Sequence, residues 1–219
     1  VGVDAAVLHP TRSAAQSGAS PQLPTESPML TVKQAFARAI DELARIPERL
    51  DAGDLDAFMA AIAAAPRIFV VGAGREGLSA KSFAMRLTHL GKPTHWIWDD
   101  TTPGIAKGDL VIIVSGGGSI GHIDYVFDRA VEAGGRIAVV TGDPGGITPQ
   151  KARALDGGTV LFLPAAVYKG KAAVVASEQP MGNLFEQALF ILFDQIVMAL
   201  AQRMNVSKAE MESRHRNVE

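Results

Sequence analysis

The chain is predicted to fold as an α/β domain, a doubly wound parallel sheet of about five strands with helices on both faces. Apolar runs without clean alternation, such as Ile68-Phe69-Val70-Val71 and Leu110-Val111-Ile112-Ile113-Val114, mark strands buried on both faces. Segments of helical spacing separate them, the arrangement that parallel strands require. Two glycine-rich turns, GAGREG at 72–77 and SGGGSIG at 115–121, each follow such a strand and open such a helix. At the carboxyl ends of parallel strands these turns face one crevice, where backbone N–H groups at a helix start favour an anion or polar ligand.

Taken in order, residues 1–30 are rich in Ala, Ser, Pro and Thr without either period and read as a mobile extension or leader. Thr31 and Gln34 form a capping-box pattern opening a first helix, with Val32, Phe36, Ala39, Ile40 and Leu43 at helical spacing and Pro47 as its stop. Asp54 is expected to cap a second helix carrying Leu55, Phe58, Met59 and Ile62, closed by Pro66. The alternation then runs strand 67–72, helix 77–90, strand 94–98, strand 109–115, helix 120–133, strand 136–141, a short helix near 148–155 and strand 159–163.

Residues 164–182, with Lys169 and Lys171, form an unusually long connection, expected to be functional or poorly ordered. Helix 184–204 is apolar on nearly every side, which predicts burial between the sheet and a second subunit. Ser207 and Glu210 make another capping box before the polar tail ESRHRNVE. The expectation is a single domain from 31 to 219, with 31–65 a helical hairpin and 184–219 the C-terminal helices and tail.

Composition narrows the function. A hydrophobic content of 47% and a net charge of -2 suggest neither a nucleic acid nor an acidic membrane surface as partner. The absence of cysteine excludes thiol catalysis, thiolate metal sites and disulfides. No basic start with an apolar core opens the chain, and no run is expected to approach a membrane span, because Gln187, Asp194 and Gln195 interrupt the most apolar helix. A cytoplasmic location is expected.

The pieces RIFVVGAGREGL, AKSFAMRLTHLG, TTPGIAKGDLVIIVSG, QPMGNLFEQ and RHRNVE resemble the 6-phospho-3-hexuloisomerases of the sugar-isomerase (SIS) fold, in register from about residue 31 to the C-terminus. RLTHLG, QPMGNLFEQ and the RHxNxE ending are the more specific of these. The resemblance implies a flavodoxin-like five-stranded parallel sheet, a homodimer or homotetramer, and no organic cofactor. It implies a reaction of the ribulose monophosphate pathway, in which a carbonyl moves between C3 and C2 of a phosphorylated ketohexose to give fructose 6-phosphate after formaldehyde fixation.

Three residues depart from that pattern. Glu76 stands where the family usually has Ser, Gly117 where its second turn has a second Ser, and Ile120 where that turn ends in Thr or Ser. The missing hydroxyls are those expected to hold the phosphate, each charge-assisted hydrogen bond contributing roughly 1.5–3 kcal/mol. The backbone N–H groups of Gly116, Gly117, Gly118 and Ser119 remain as an anion seat.

Moving a ketone by one carbon needs a base that carries a proton between neighbouring carbons and a shuttle for the oxygens. Glu186 matches the Glu of the family's LFE motif and is the candidate base, although Asn183 and Glu186 also have capping-box spacing. His89, which matches the histidine of RLMHLG in the family, and His215 in the tail are the candidate shuttles; each also reads blandly, as a core histidine and as part of a frayed end. Gly74, Arg75, Glu76 and Ser115 through Ser119 are the candidate substrate contacts, with Ser119 also a natural cap of the next helix. His122 is expected at a helix surface, Lys81 and Arg86 on a polar face, and Asp99-Asp100 in a solvated loop and not a metal pair.

The substrate expected is a small sugar or sugar phosphate, with no metal. Alternatives are an isomerase of an unphosphorylated sugar, a non-catalytic sugar-phosphate sensor, and a dinucleotide-binding enzyme, since Gly72, Gly74 and Gly77 satisfy G-x-G-x-x-G.

Overall fold

The computed structural model describes residues 30–218. The expectation for the leader therefore lies, apart from Leu30, outside the described residues. In chain order the elements are α1 (Val32–Ala44), a 3-10 turn (Pro47–Arg49), α2 (Ala52–Ala64), β1 (Ile68–Gly72), α3 (Gly74–His89), β2 (Thr94–Trp96), β3 (Leu110–Val114), α4 (Gly121–Glu132), β4 (Arg136–Thr141), α5 (Ile147–Arg153), β5 (Thr159–Phe162), α6 (Asn183–Arg203) and α7 (Lys208–Ser213). The five strands form one parallel sheet in the order β2-β1-β3-β4-β5. The chain reverses its direction across the sheet between β1 and β3, and there Gly72 pairs with Val114. Both glycine turns therefore leave the sheet side by side, at the topological switch point.

β1 and β3 are wholly buried because each strand feeds two cores. Ile68, Val70, Ile112 and Val114 face α2, α3 and α6, whereas Phe69, Val71, Val111 and Ile113 face α4 and its neighbours. The first core is anchored where the rings of Phe83 on α3 and Phe193 on α6 stack at 4.1 Å and 6°. Aromatic contacts of this kind add to burial and fix how two helices meet.

Several boundaries differ from expectation for identifiable reasons. α2 is capped by Asp51, whose carboxylate accepts from Asp54 N–H at 2.9 Å, so Asp54 lies inside the helix. α3 begins at Gly74, three residues early, because the chain turns into helix directly from β1. β2 stops at Trp96, where the Thr102 hydroxyl and Asp99 N–H cap its carbonyl and pull the chain out of the sheet. α4 is preceded by Ile120, and Ser119 instead accepts from Ile147 N–H at the start of α5. The capping boxes at Thr31 and Ser207 form as read.

The long connection before α6 is pinned. Buried Glu42 on α1 accepts from the Ser177 hydroxyl, Glu178 N–H and the Gln179 amide at 2.6, 2.9 and 2.9 Å. Burial pushes this carboxyl up, but the three donors outweigh it and hold it below the usual range. By length and hydropathy α6 is long and apolar enough to cross a membrane, which corrects the expectation that no run approaches a span. Half of that stretch is buried in the fold, while Phe190, Ile191 and Met198 remain exposed.

Candidate active site

Close approach of strand and helix shapes the first turn. A Cβ on Gly77 would lie 2.8 Å from the Gly72 carbonyl oxygen, so only glycine lets α3 start against β1. Gly74 takes φ +54°, a left-handed conformation that favours glycine, and Arg75 and Glu76 leave the turn in different directions.

Arg75 reaches α6. Its Nη1 donates to Asn183 Oδ1 at 2.8 Å, and its Nε lies 3.1 Å from Glu186 Oε2, an ion pair without hydrogen-bond alignment. α6 starts after Met181, a non-glycine residue held at φ 59°, and Gly182, which contributes no side-chain cap. Asn183 spends its side chain on Arg75, and Glu186 is one position beyond capping-box geometry. The capping reading of Glu186 is thereby removed.

Glu186, Arg75, Leu78, Ser79, Gln187 and Phe190 line a cavity of about 310 Å3. Glu186 Oε2 and Gln187 Oε1 are buried there without a hydrogen-bond partner among the described residues. Both oxygens can accept hydrogen bonds, the chemistry with which a site takes the hydroxyl groups of a polar ligand. Gln187, Leu78, Ser79 and Phe190 were not foreseen as site residues. Adjacent positions on a helix are about 100° apart, so spacing does not send Gln187 after Glu186; its side-chain amide donates to Gln179 Oε1 at 2.9 Å.

Glu76 goes the other way. Its Oε2 accepts the Gly116 N–H at 2.8 Å, so a carboxylate occupies the second turn. Burial pushes this carboxyl up, the Gly116 N–H opposes the rise, and the charge of Glu186 adds to it. Gly118 N–H is spent on the Ser115 carbonyl at 3.0 Å. The expected open seat of four N–H groups is therefore corrected, because Gly116 and Gly118 are both engaged. Gly117 has no room for a larger residue, since a Cβ there would lie 2.5 Å from the Lys169 carbonyl oxygen. Ser115 is fully buried, its hydroxyl without a partner among the described residues.

His89 and His215 come together, their rings 5.2 Å apart, beside a cavity of about 500 Å3 that Arg86, Lys208, Met211 and Glu212 also line. That cavity is at the far end of α3. Arg75 and His89 are separated by about 21 Å of helical rise, too far for one sugar to touch both within a protomer. His122 packs at 6.0 Å on Trp98 and shares a third cavity, of about 430 Å3, with Trp96, Lys81 and the glycines of the first turn. Lys81 and Arg86 thus border cavities in addition to lying on the outer face of α3. Asp99 accepts from Thr101 N–H and hydroxyl, which lower its pKa, and no metal-ligand cluster occurs among the described residues.

The SIS domain family matches residues 61–156, the span from α2 to just past α5 that holds both glycine turns. A 3-hexulose-6-phosphate isomerase of Bacillus subtilis (strain 168) is 32% identical over 183 residues, 84% of this chain and 96% of that protein. One from Mycobacterium gastri is 35% identical over 179 residues, 82% and 87% of the two chains. The chain belongs to the 3-hexulose-6-phosphate isomerase family. Its members are isomerases, and the fold agrees with membership. The structure of a hypothetical protein from Methanococcus jannaschii, described as inferring 3-hexulose-6-phosphate isomerase function, superposes with a TM-score of 0.71 at 25% identity, covering 84% of this chain and 98% of that one. The five-stranded parallel sheet expected from the sequence is thus the sheet of the SIS family.

Proposed function

We propose that the protein moves a carbonyl between C3 and C2 of a ketohexose 6-phosphate through a cis-enediol. The observation that carries this reading is Glu186, whose buried carboxylate oxygen faces a cavity between α3 and α6 and is ion-paired with Arg75 at 3.1 Å. Starting from the 3-ketose, Glu186 takes the proton from C2, the C2–C3 double bond forms, and the C3 oxygen gains a proton. The C2 hydroxyl then loses its proton, the C2 carbonyl forms, and Glu186 returns a proton to C3. Arg75 orients the carboxylate and faces the oxygens that gain negative charge.

The oxygens need their own shuttle, for which His89 and His215 have the right chemistry. Their distance from Glu186 supports a shared site, in which one protomer supplies the base and a second supplies the histidines. Exposed Ile40 and Ile191, which line an apolar groove of about 550 Å3 between α1, α2 and α6, support the homo-oligomer this requires, as does exposed Phe36 on α1. The activity belongs to sugar metabolism in the cytoplasm, with no nucleic acid or membrane as partner. One observation, the Glu76 carboxylate on Gly116 N–H, favours a second reading in which the ketohexose is unphosphorylated.

The test is 13C NMR of fructose 6-phosphate incubated with the protein. A second ketose phosphate with its carbonyl at C3 is expected, and an unchanged spectrum would count against the assignment.

A further inference from the structure

The second glycine turn is filled and covered. A Cβ on Gly116 would lie 2.3 Å from Oε1 of Glu76 and 3.1 Å from a Val167 methyl. Beside Glu76, Gly116 N–H is engaged at 2.8 Å, Ser115 keeps a buried hydroxyl without a partner among the described residues, and the Lys169 carbonyl closes over Gly117. A backbone nest of this kind takes an anion, and here the anion comes from the chain itself.

We propose that Glu76 is a resident competitor for the anion seat at this turn, and that it sets the preference between phosphorylated and unphosphorylated ketohexoses. The ligands named rest on the isomerase reading above. A phosphate dianion gains the Gly116 N–H only by displacing the Glu76 carboxylate, and it must then share a poorly solvated turn with that charge. A sugar hydroxyl has no such conflict, because it donates to the carboxylate where it stands.

The surrounding charges do not relieve the conflict. Glu186, facing from α6, has the same sign. Arg75 is paired with Glu186 and Asn183. Across the turn Asp143 accepts from the N–H groups of Lys171 and Gly145, and the Lys169 ammonium sits over the Tyr168 ring. Glu76 is therefore a specificity-determining residue acting by occupancy.

The experiment compares the wild type with Glu76→Ser and Glu76→Gln by calorimetry, using fructose 6-phosphate and fructose as probes. Removing the charge should tighten fructose 6-phosphate at least tenfold in both variants and leave fructose no tighter. Glu76→Gln keeps the shape and the Gly116 bond, so it guards against a folding defect in the serine variant. Unchanged or weaker fructose 6-phosphate binding in both variants would overturn the proposal. Exchange of the C3 proton in D2O, followed on the same samples, separates the two readings. Tighter binding without exchange supports the role of Glu76 and removes the isomerase reading, whereas exchange with unchanged affinities does the reverse.

Discussion

The Nε of Arg75 lies 3.1 Å from a carboxylate oxygen of Glu186, which joins the first turn of α3 to the first turn of α6. The same guanidinium donates to Asn183 at 2.8 Å, so one side chain contacts both Glu186, the proposed base, and the residue that opens its helix. α3 and α6 also meet at the Phe83–Phe193 stack, further along from the cavity between their N-terminal turns.

Glu186→Gln should lower turnover of fructose 6-phosphate roughly a hundred- to ten-thousand-fold, the usual span for a general base. Because the side chain does not cap α6, the melting temperature should stay within a few degrees of the wild type. A large loss of stability with turnover retained would make Glu186 structural.

Glu76→Gln carries a pH signature. Burial raises the folded-state pKa of Glu76 above its unfolded value, so the ionised form costs stability in the fold. That cost is fully present above the folded pKa and vanishes below the unfolded one, about 4.3. The variant should be more stable than the wild type at pH 7, and the gain should shrink as the pH falls towards 4. Thermal melts across that range check it; a gain that grows in acid would contradict it.

Phe83→Ala should cost about 4 kcal/mol, because a fully buried ring stacked on Phe193 leaves a cavity between two helices. Chemical denaturation measures the loss. A cost near 1 kcal/mol would mean that α3 and α6 close over the gap.

His89→Asn and Glu186→Gln should each be inactive alone and partly active when mixed under conditions that let subunits exchange. Such rescue requires a site built from two copies. Absence of rescue, with exchange demonstrated by mass, would place both residues in separate functions.

The sheet, the helices and the two glycine turns were legible because apolar runs and helical spacing set them locally. Boundaries slipped where one side chain decides them, as with Asp51 capping α2 and Gly182 preceding α6. The residue types of the site were readable, but their grouping was not. His89 and Glu76 lie on the same helix with its length between them, which places the histidine at the far end from the crevice. The reason for Gly117 was also hidden, because it depends on Lys169, far away in sequence, whose carbonyl closes over the turn. Gln187 was missed because its side-chain partner is Gln179, itself held by Glu42 on α1.

The most direct test of the central claim is proton exchange at C3 of fructose 6-phosphate in D2O, followed by NMR with wild type and Glu186→Gln side by side. The enediol account predicts loss of the C3 proton signal with the wild type and its persistence with the variant. Persistence with both, or equal loss with both, would contradict Glu186 as the base of an enediol isomerase.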